Sequence, residues 1–244
     1  MEEINLKKCI FVSMTSYQHL FFDLDRTLWD YDKNSREALA EILENHGLIP
    51  MLQSFENFLT IFNRHNEEVW EEYKKGLISK EELRNKRFEL TLKAYGMNDP
   101  PLAQKLNDDF LILSPKKTHL IEGAIDLLTY LKSKHYHLYI LTNGFTHIQL
   151  TKMKESGLTM YFDQIFTSDK LGHTKPQRKM FEYAIKSVNA KKNRSIMIGD
   201  ELQTDIIGAQ NFGIDQVYFN PLNAPHDKHP TYEISNLAEL KVLL

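Results

Sequence analysis

The 244-residue sequence holds a single cysteine, Cys9. An intrachain disulfide is therefore impossible, and a reducing cytoplasm is the expected location. Zinc-type Cys/His spacing is absent too, and the ten His are dispersed. No apolar run approaches the roughly 20 residues that a membrane span needs. Residues 1–16 begin acidic and carry only a short apolar patch from Cys9 to Met14, which is wrong for a signal peptide. They read as an N-terminal extension in which Met14 is an alternative start. Thirty Lys and Arg against 33 Asp and Glu leave a formal charge of −3, scattered along the chain. That balance lacks the basic footprint of a nucleic-acid or membrane-surface binder. The partner expected is a small molecule, and the chain is expected to be a monomer or small homo-oligomer. Internal repeats and low-complexity linkers are missing as well.

What the chain does have is 42% hydrophobic residues over a length that suits a core domain plus an insertion. Its most informative stretch is Leu20-Phe21-Phe22-Asp23-Leu24-Asp25-Arg26-Thr27-Leu28. The apolar start reads as a short buried parallel strand. Strand side chains alternate, so Asp23 and Asp25 can project near one another at its end with Leu24 turned away. Ligands of open α/β sheets bind at that end. Two such carboxylates repel unless they share a proton or flank a cation, and Mg²⁺ is the simplest cation for oxygen ligands. A solvated pair of loop acids is the plainer alternative for a lone D-x-D.

Along the chain, residues 33–116 read as helical throughout. Capping boxes are expected at Asn34/Glu37 and Ser79/Glu82, glycines at Gly47, Gly76 and Gly96 end helices, and a fourth helix stops at Pro115. From residue 117 strands and helices alternate. His137–Thr142, Gln164–Thr167, Ser195–Ile198 and Gln216–Phe219 are expected strands. Helices are expected over Gly123–Lys134, from a Thr146/Gln149 capping box to Gly157, from Pro176, over Asp205–Phe212, and over Leu237–Leu244. Asn220–Pro230 reads as a loop. Such alternation implies an α/β fold, a doubly wound, Rossmann-like parallel sheet covered on both faces. The core is expected from residues 17–32 and 117–244, with 33–116 inserted.

Four stretches in order carry a family resemblance: Asp23-Leu24-Asp25-Arg26-Thr27, Tyr139–Gly144 ending in Thr142-Asn143-Gly144, Lys175-Pro176, and Ile196–Asp200 followed by Asp205. The set resembles the haloacid dehalogenase (HAD) superfamily of phosphohydrolases. The resemblance implies that the helical insertion is a C1 cap over the active site. It implies that Asp23 is the nucleophile, forming an aspartyl-phosphate, and that Asp25 is the general acid and then base. Thr142 would donate to phosphoryl oxygens, helped by the amides of Asn143 and Gly144, with Thr27 bracing the loop. Lys175 would supply positive charge. Mg²⁺ would be held by Asp23, Asp200 and the carbonyl of Asp25, with Asp205 orienting waters or Lys175. Glu201 would face solvent or compete as a ligand.

Beyond these signatures, Val69-Trp70-Glu71-Glu72-Tyr73, Gly76, Ile78, Arg87-Phe88-Glu89 and Ala238-Glu239-Leu240 resemble the HAD 5′-nucleotidases acting on pyrimidine nucleoside monophosphates. The stripe of Phe62, Trp70 and Tyr73 is expected to be cap core, and Asn66, Arg84 and Arg87 are the candidates to face the cleft. Phosphatases for small sugar phosphates or phosphoglycolate are the rival within the class. A phospho-Asp switch would lack the 33–116 insertion and the second loop Asp, and a catalytically silent binding protein would have no use for four clustered carboxylates.

Overall fold

The structure is a computed structural model that describes residues 17–244. Cys9, Met14 and the expected extension over 1–16 lie outside the described residues. Six parallel strands form one sheet in the order β3-β2-β1-β4-β5-β6. They are β1 His19–Phe22, β2 His137–Thr142, β3 Gln164–Thr167, β4 Ser195–Gly199, β5 Asp215–Phe219 and β6 Tyr232–Ile234. β1 pairs with β2 on one side and β4 on the other. Chain order reverses direction across the sheet there, so the crevice beyond β1 is the topological switch point where such sheets take ligands.

The two-residue period sorts the strand side chains onto two faces. Leu20, Phe22, Leu138, Ile140, Ile196 and Ile198 pack on one face, with helix α5 (Ala124–Ser133) against them. Phe21, Tyr139, Leu141 and Met197 pack on the other, with α8 (Arg178–Ser187) and α9 (Ile207–Phe212). Burial on both faces is why these strands read as continuous apolar runs.

Between β1 and α5 lie α1 (Tyr31–Asn45), α2 (Phe55–Lys74), α3 (Lys80–Ala94) and α4 (Pro100–Leu113). They enclose their own core of Leu39, Ile42, Phe58, Phe62, Phe88, Leu106 and Phe110. The Ser79/Glu82 capping box opens α3 as the spacing predicts. The Asn34/Glu37 box does not form: α1 starts earlier, capped by Asp30, and buried Asn34 instead exchanges two hydrogen bonds with the His119 backbone. Lys175-Pro176 is a cis peptide, and α8 begins two residues beyond it rather than at Pro176. A π-helical turn, Leu202–Ile206, precedes α9, so the α-helix starts later than Asp205. The expected closing helix is a 3₁₀ turn, Leu237–Glu239, followed by α10, Leu240–Leu243. The three-residue strand β6 was not expected, being too short for an alternation to register.

Candidate active site

The loops at the carboxyl ends of β1, β2 and β4 converge under the helical layer and bound a cleft of about 480 Å³. Asp23, Asp25, Thr142, Asn143, Gly144, Lys175, Asp200 and Asp205 all line it. Asp23 extends β1, its amide donating to the Ile198 carbonyl at 2.9 Å. Past it, Arg26 takes a left-handed φ of +59°, and Trp29 N–H returns to the Leu24 carbonyl at 2.9 Å. This tight turn points Leu24 into the core and leaves Asp25 facing the cleft.

Lys175 organises the acids. Fully buried, its Nζ sits 2.5 Å from Asp23 Oδ1 and 2.6 Å from Asp205 Oδ1. Burial opposes the ammonium, but Asp205 and Asp23 override it and hold its pKa above the usual lysine value. The carboxylates remain in excess. Burial first, then neighbouring acids, push Asp23 and Asp205 upward against the pull of Lys175. Asp200 is pushed to about 7 by burial and by Asp205, against a hydrogen bond from Thr27. One ligand oxygen from each of Asp23, Asp200 and Asp205 can be chosen so that all lie within 4.8 Å of one another. Three carboxylates facing one ammonium, with every donor an oxygen, fit a hard dication.

Thr27 is fully buried and its hydroxyl donates to Asp200 Oδ1 at 3.0 Å, which braces that acid against the turn after β1. Asn143 clamps Lys175 by accepting from its backbone N–H at 2.7 Å and donating to its carbonyl at 3.1 Å. The Gly144 amide donates to Thr142 Oγ1 at 3.1 Å. Gly144 is required by packing: a Cβ there would fall 2.3 Å from Gln149 Nε2. Gly199 is needed for the same reason, since its Cβ would strike the Asp205 carboxylate. Asp205 Oδ2 accepts from the Glu201 amide at 3.2 Å, while the Glu201 side chain meets Lys74 of α2 at 2.7 Å.

Two site residues escaped sequence reasoning. From α6 (Thr146–Glu155), Lys152 places Nζ 2.5 Å from Asp25 Oδ1, and Gln149 donates to Asp25 Oδ2 at 3.0 Å and to Thr142 Oγ1 at 2.8 Å. The expected Thr146/Gln149 capping box is therefore absent. Thr146 bonds Thr167 and Asp169 of the short helix α7 (Ser168–Leu171), and the i, i+3 spacing of Gln149 and Lys152 was the signal that both face one direction. Nor is the aromatic stripe one unit. Phe62 belongs to the helical core, whereas Trp70 and Tyr73 pack on Phe145, with ring centroids 5.7 and 5.8 Å away, and Trp70 lines the cleft. Asn66, Arg84 and Arg87 line it too.

This arrangement has counterparts among known proteins. The model of the haloacid dehalogenase-like hydrolase family matches residues 20–219. Pyrimidine 5′-nucleotidase PynA of Streptococcus pneumoniae is 34% identical over 229 residues, 92% of this chain and 93% of that one. A glyceraldehyde 3-phosphate phosphatase of Methanothermobacter thermautotrophicus is 30% identical over 210 residues, covering 82% and 84%. The crystal structure of Bacillus subtilis YfnB, described as bound to magnesium and revealing interdomain movement, superposes with a TM-score of 0.85 at 31% identity, over 93% of this chain and 98% of that one. The chain belongs to the haloacid dehalogenase-like hydrolase family.

Proposed function

We propose that the chain is a Mg²⁺-dependent phosphomonoesterase that works through an aspartyl-phosphate on Asp23, with pyrimidine nucleoside 5′-monophosphates as its preferred substrates. The observation that carries the chemistry is Lys175 holding Asp23 Oδ1 at 2.5 Å while Asp25, the second acid of the same turn, stands apart on Lys152 and Gln149. Two carboxylates in such different surroundings suit two different tasks.

In the first half-reaction a free oxygen of Asp23 forms a bond to phosphorus as the bond to the ester oxygen breaks. Asp25 delivers a proton to the departing alkoxide. In the second, Asp25 removes a proton from water as its oxygen bonds to phosphorus and the Asp23–phosphorus linkage breaks, releasing inorganic phosphate. Thr142 Oγ1 accepts from Gly144 and Gln149, which leaves its hydrogen for a phosphoryl oxygen. Mg²⁺ on Asp23, Asp200 and the Asp25 carbonyl would neutralise phosphoryl charge. Helices α1–α4, essentially residues 33–116, act as the cap that excludes water from these steps.

The substrate preference rests on the 34% likeness to a pyrimidine 5′-nucleotidase across most of both chains, and on a cleft whose lid end carries Trp70, Phe110 and Phe145 beside polar side chains. A small sugar phosphate is the second reading, favoured by the glyceraldehyde 3-phosphate phosphatase relative. Ranking UMP, dUMP, dTMP, glyceraldehyde 3-phosphate and phosphoglycolate by kcat/KM separates them. The nucleotides should lead; a tenfold lead for either of the others would overturn the preference and leave the phosphatase chemistry standing.

A further inference from the structure

The helical layer buries an arginine that no carboxylate among the described residues neutralises. Arg87 on α3 is 4% exposed. Its Nη1 donates to Asn66 Oδ1 at 3.2 Å and its Nη2 to Asn107 Oδ1 at 3.0 Å, both neutral amides. Among the described residues no carboxylate pairs with it. Its nearest electrostatic neighbours are the Tyr31 hydroxyl and a second guanidinium, Arg84, and burial drags its pKa down to about 10. Both Arg87 Nε and Arg84 Nε are buried without a hydrogen-bond partner. Burying a guanidinium this way is costly unless something completes its hydrogen bonds. Both arginines line the cleft that holds Asp23, so a ligand can do so.

Contacts link this pair to the reacting end. Asn66 Nδ2 donates to Tyr31 Oη at 3.1 Å, and Lys152 Nζ, which holds Asp25, lies 5.8 Å from the centre of the Tyr31 ring. The cleft that holds both also has apolar lining, with the rings of Phe110 and Phe145 beside Leu83 and Ile148. Flat apolar walls suit a flat ring, and unpaired guanidinium N–H groups suit carbonyl oxygens on its edge.

We infer that Arg87 and Arg84 form a subsite for the carbonyl edge of a flat heterocycle at the end of the substrate remote from phosphorus. Resting on the proposed nucleotidase activity, this deepens it by naming which residues read the base. Binding energy collected there would be expressed at phosphorus, so substrates lacking the ring should lose it and substrates bearing it should depend on the arginines.

The test compares wild type, Arg87→Met, Arg87→Lys and Arg84→Met on UMP, ribose 5-phosphate, phosphoglycolate and p-nitrophenyl phosphate with Mg²⁺. Wild type should favour UMP over ribose 5-phosphate by at least tenfold in kcat/KM. Arg87→Met should lower the UMP value by roughly 10²-fold while changing ribose 5-phosphate and p-nitrophenyl phosphate less than about threefold, with Arg87→Lys intermediate because it keeps charge but loses the fork. Arg84→Met, a change at a half-exposed position, should lower UMP selectively by about tenfold and keeps the test open if Arg87→Met fails to fold. Equal losses on all four substrates would make the arginines structural and overturn the inference. Wild-type preference for phosphoglycolate that Arg87→Met abolishes would make the subsite one for a second anion, and would overturn it too. Nucleotide preference that survives both Met variants would overturn the subsite and leave the nucleotidase reading intact.

Discussion

Lys152 Nζ lies 2.5 Å from Asp25 Oδ1, reaching across from α6 to the turn after β1. The Lys152 side chain is 6% exposed, and its ammonium is also 4.2 Å from the centre of the Trp29 ring, so its position is fixed from two sides. With Gln149 on the other oxygen, Asp25 is held in one orientation before substrate arrives.

Replacing Lys152 should therefore disturb orientation more than binding. Lys152→Met is expected to lower kcat on nucleoside monophosphates by about 10- to 100-fold with KM changing less than threefold, and Lys152→Arg should recover part of the loss. A rise in KM with kcat unchanged would show instead that Lys152 contacts substrate in the ground state.

In the proposed reaction Asp25 carries the proton. Asp25→Asn should slow hydrolysis of UMP by roughly 10²- to 10⁴-fold, the scale of general acid–base catalysis. The loss on p-nitrophenyl phosphate should be smaller, because that leaving group scarcely needs the proton. Equal losses on both would contradict the assignment.

The acid cluster makes metal-free protein sensitive to pH. Asp200, held near 7 in the fold against 3.8 for the free side chain, keeps a proton that the unfolded chain has already released. The folded state then binds more protons, so stability falls as pH rises from about 4 to about 7 and levels off beyond. In EDTA the melting temperature should drop across that window. Mg²⁺ should restore stability most at the alkaline end, by about 2.7 kcal/mol at 100 times its dissociation constant. A melting temperature that rises over the same pH range in EDTA would contradict the charge excess.

Lys74 and Glu201 join α2 to the loop after β4 at 2.7 Å, a polar tie between the helical layer and the sheet beside that of Lys80 with Asp169. Glu201 is about half exposed, so the pair contributes at most about 1 kcal/mol to folding. Glu201→Gln should leave the melting temperature nearly unchanged and raise KM for UMP two- to fivefold by loosening the proposed cap. An unchanged KM would make the tie incidental.

The parallel sheet and its acids were legible because each signal is local. Asp23, Thr142 and Asp200 end or follow apolar strands, and the spacing within each stretch places them at one edge of the sheet. What escaped is contact between distant segments. Gln149 and Thr146 have the spacing of a capping box, yet the nearby Asp25 and Asp169 carboxylates compete for them. Trp70 has the helical phase of a core residue, and only the placement of Phe145 opposite it reveals that its face belongs to the cleft. Asn34 likewise has a cap's identity but finds a stronger buried partner in the His119 backbone.

The measurement that bears most directly on the central claim is phosphate release from UMP by wild-type protein and by Asp23→Asn, each with Mg²⁺ and with EDTA. Wild type should turn over only with Mg²⁺, and Asp23→Asn should lose on the order of 10³-fold or more, because its amide cannot form the aspartyl-phosphate. Retention of activity within tenfold by Asp23→Asn, or wild-type turnover undiminished by EDTA, would contradict it.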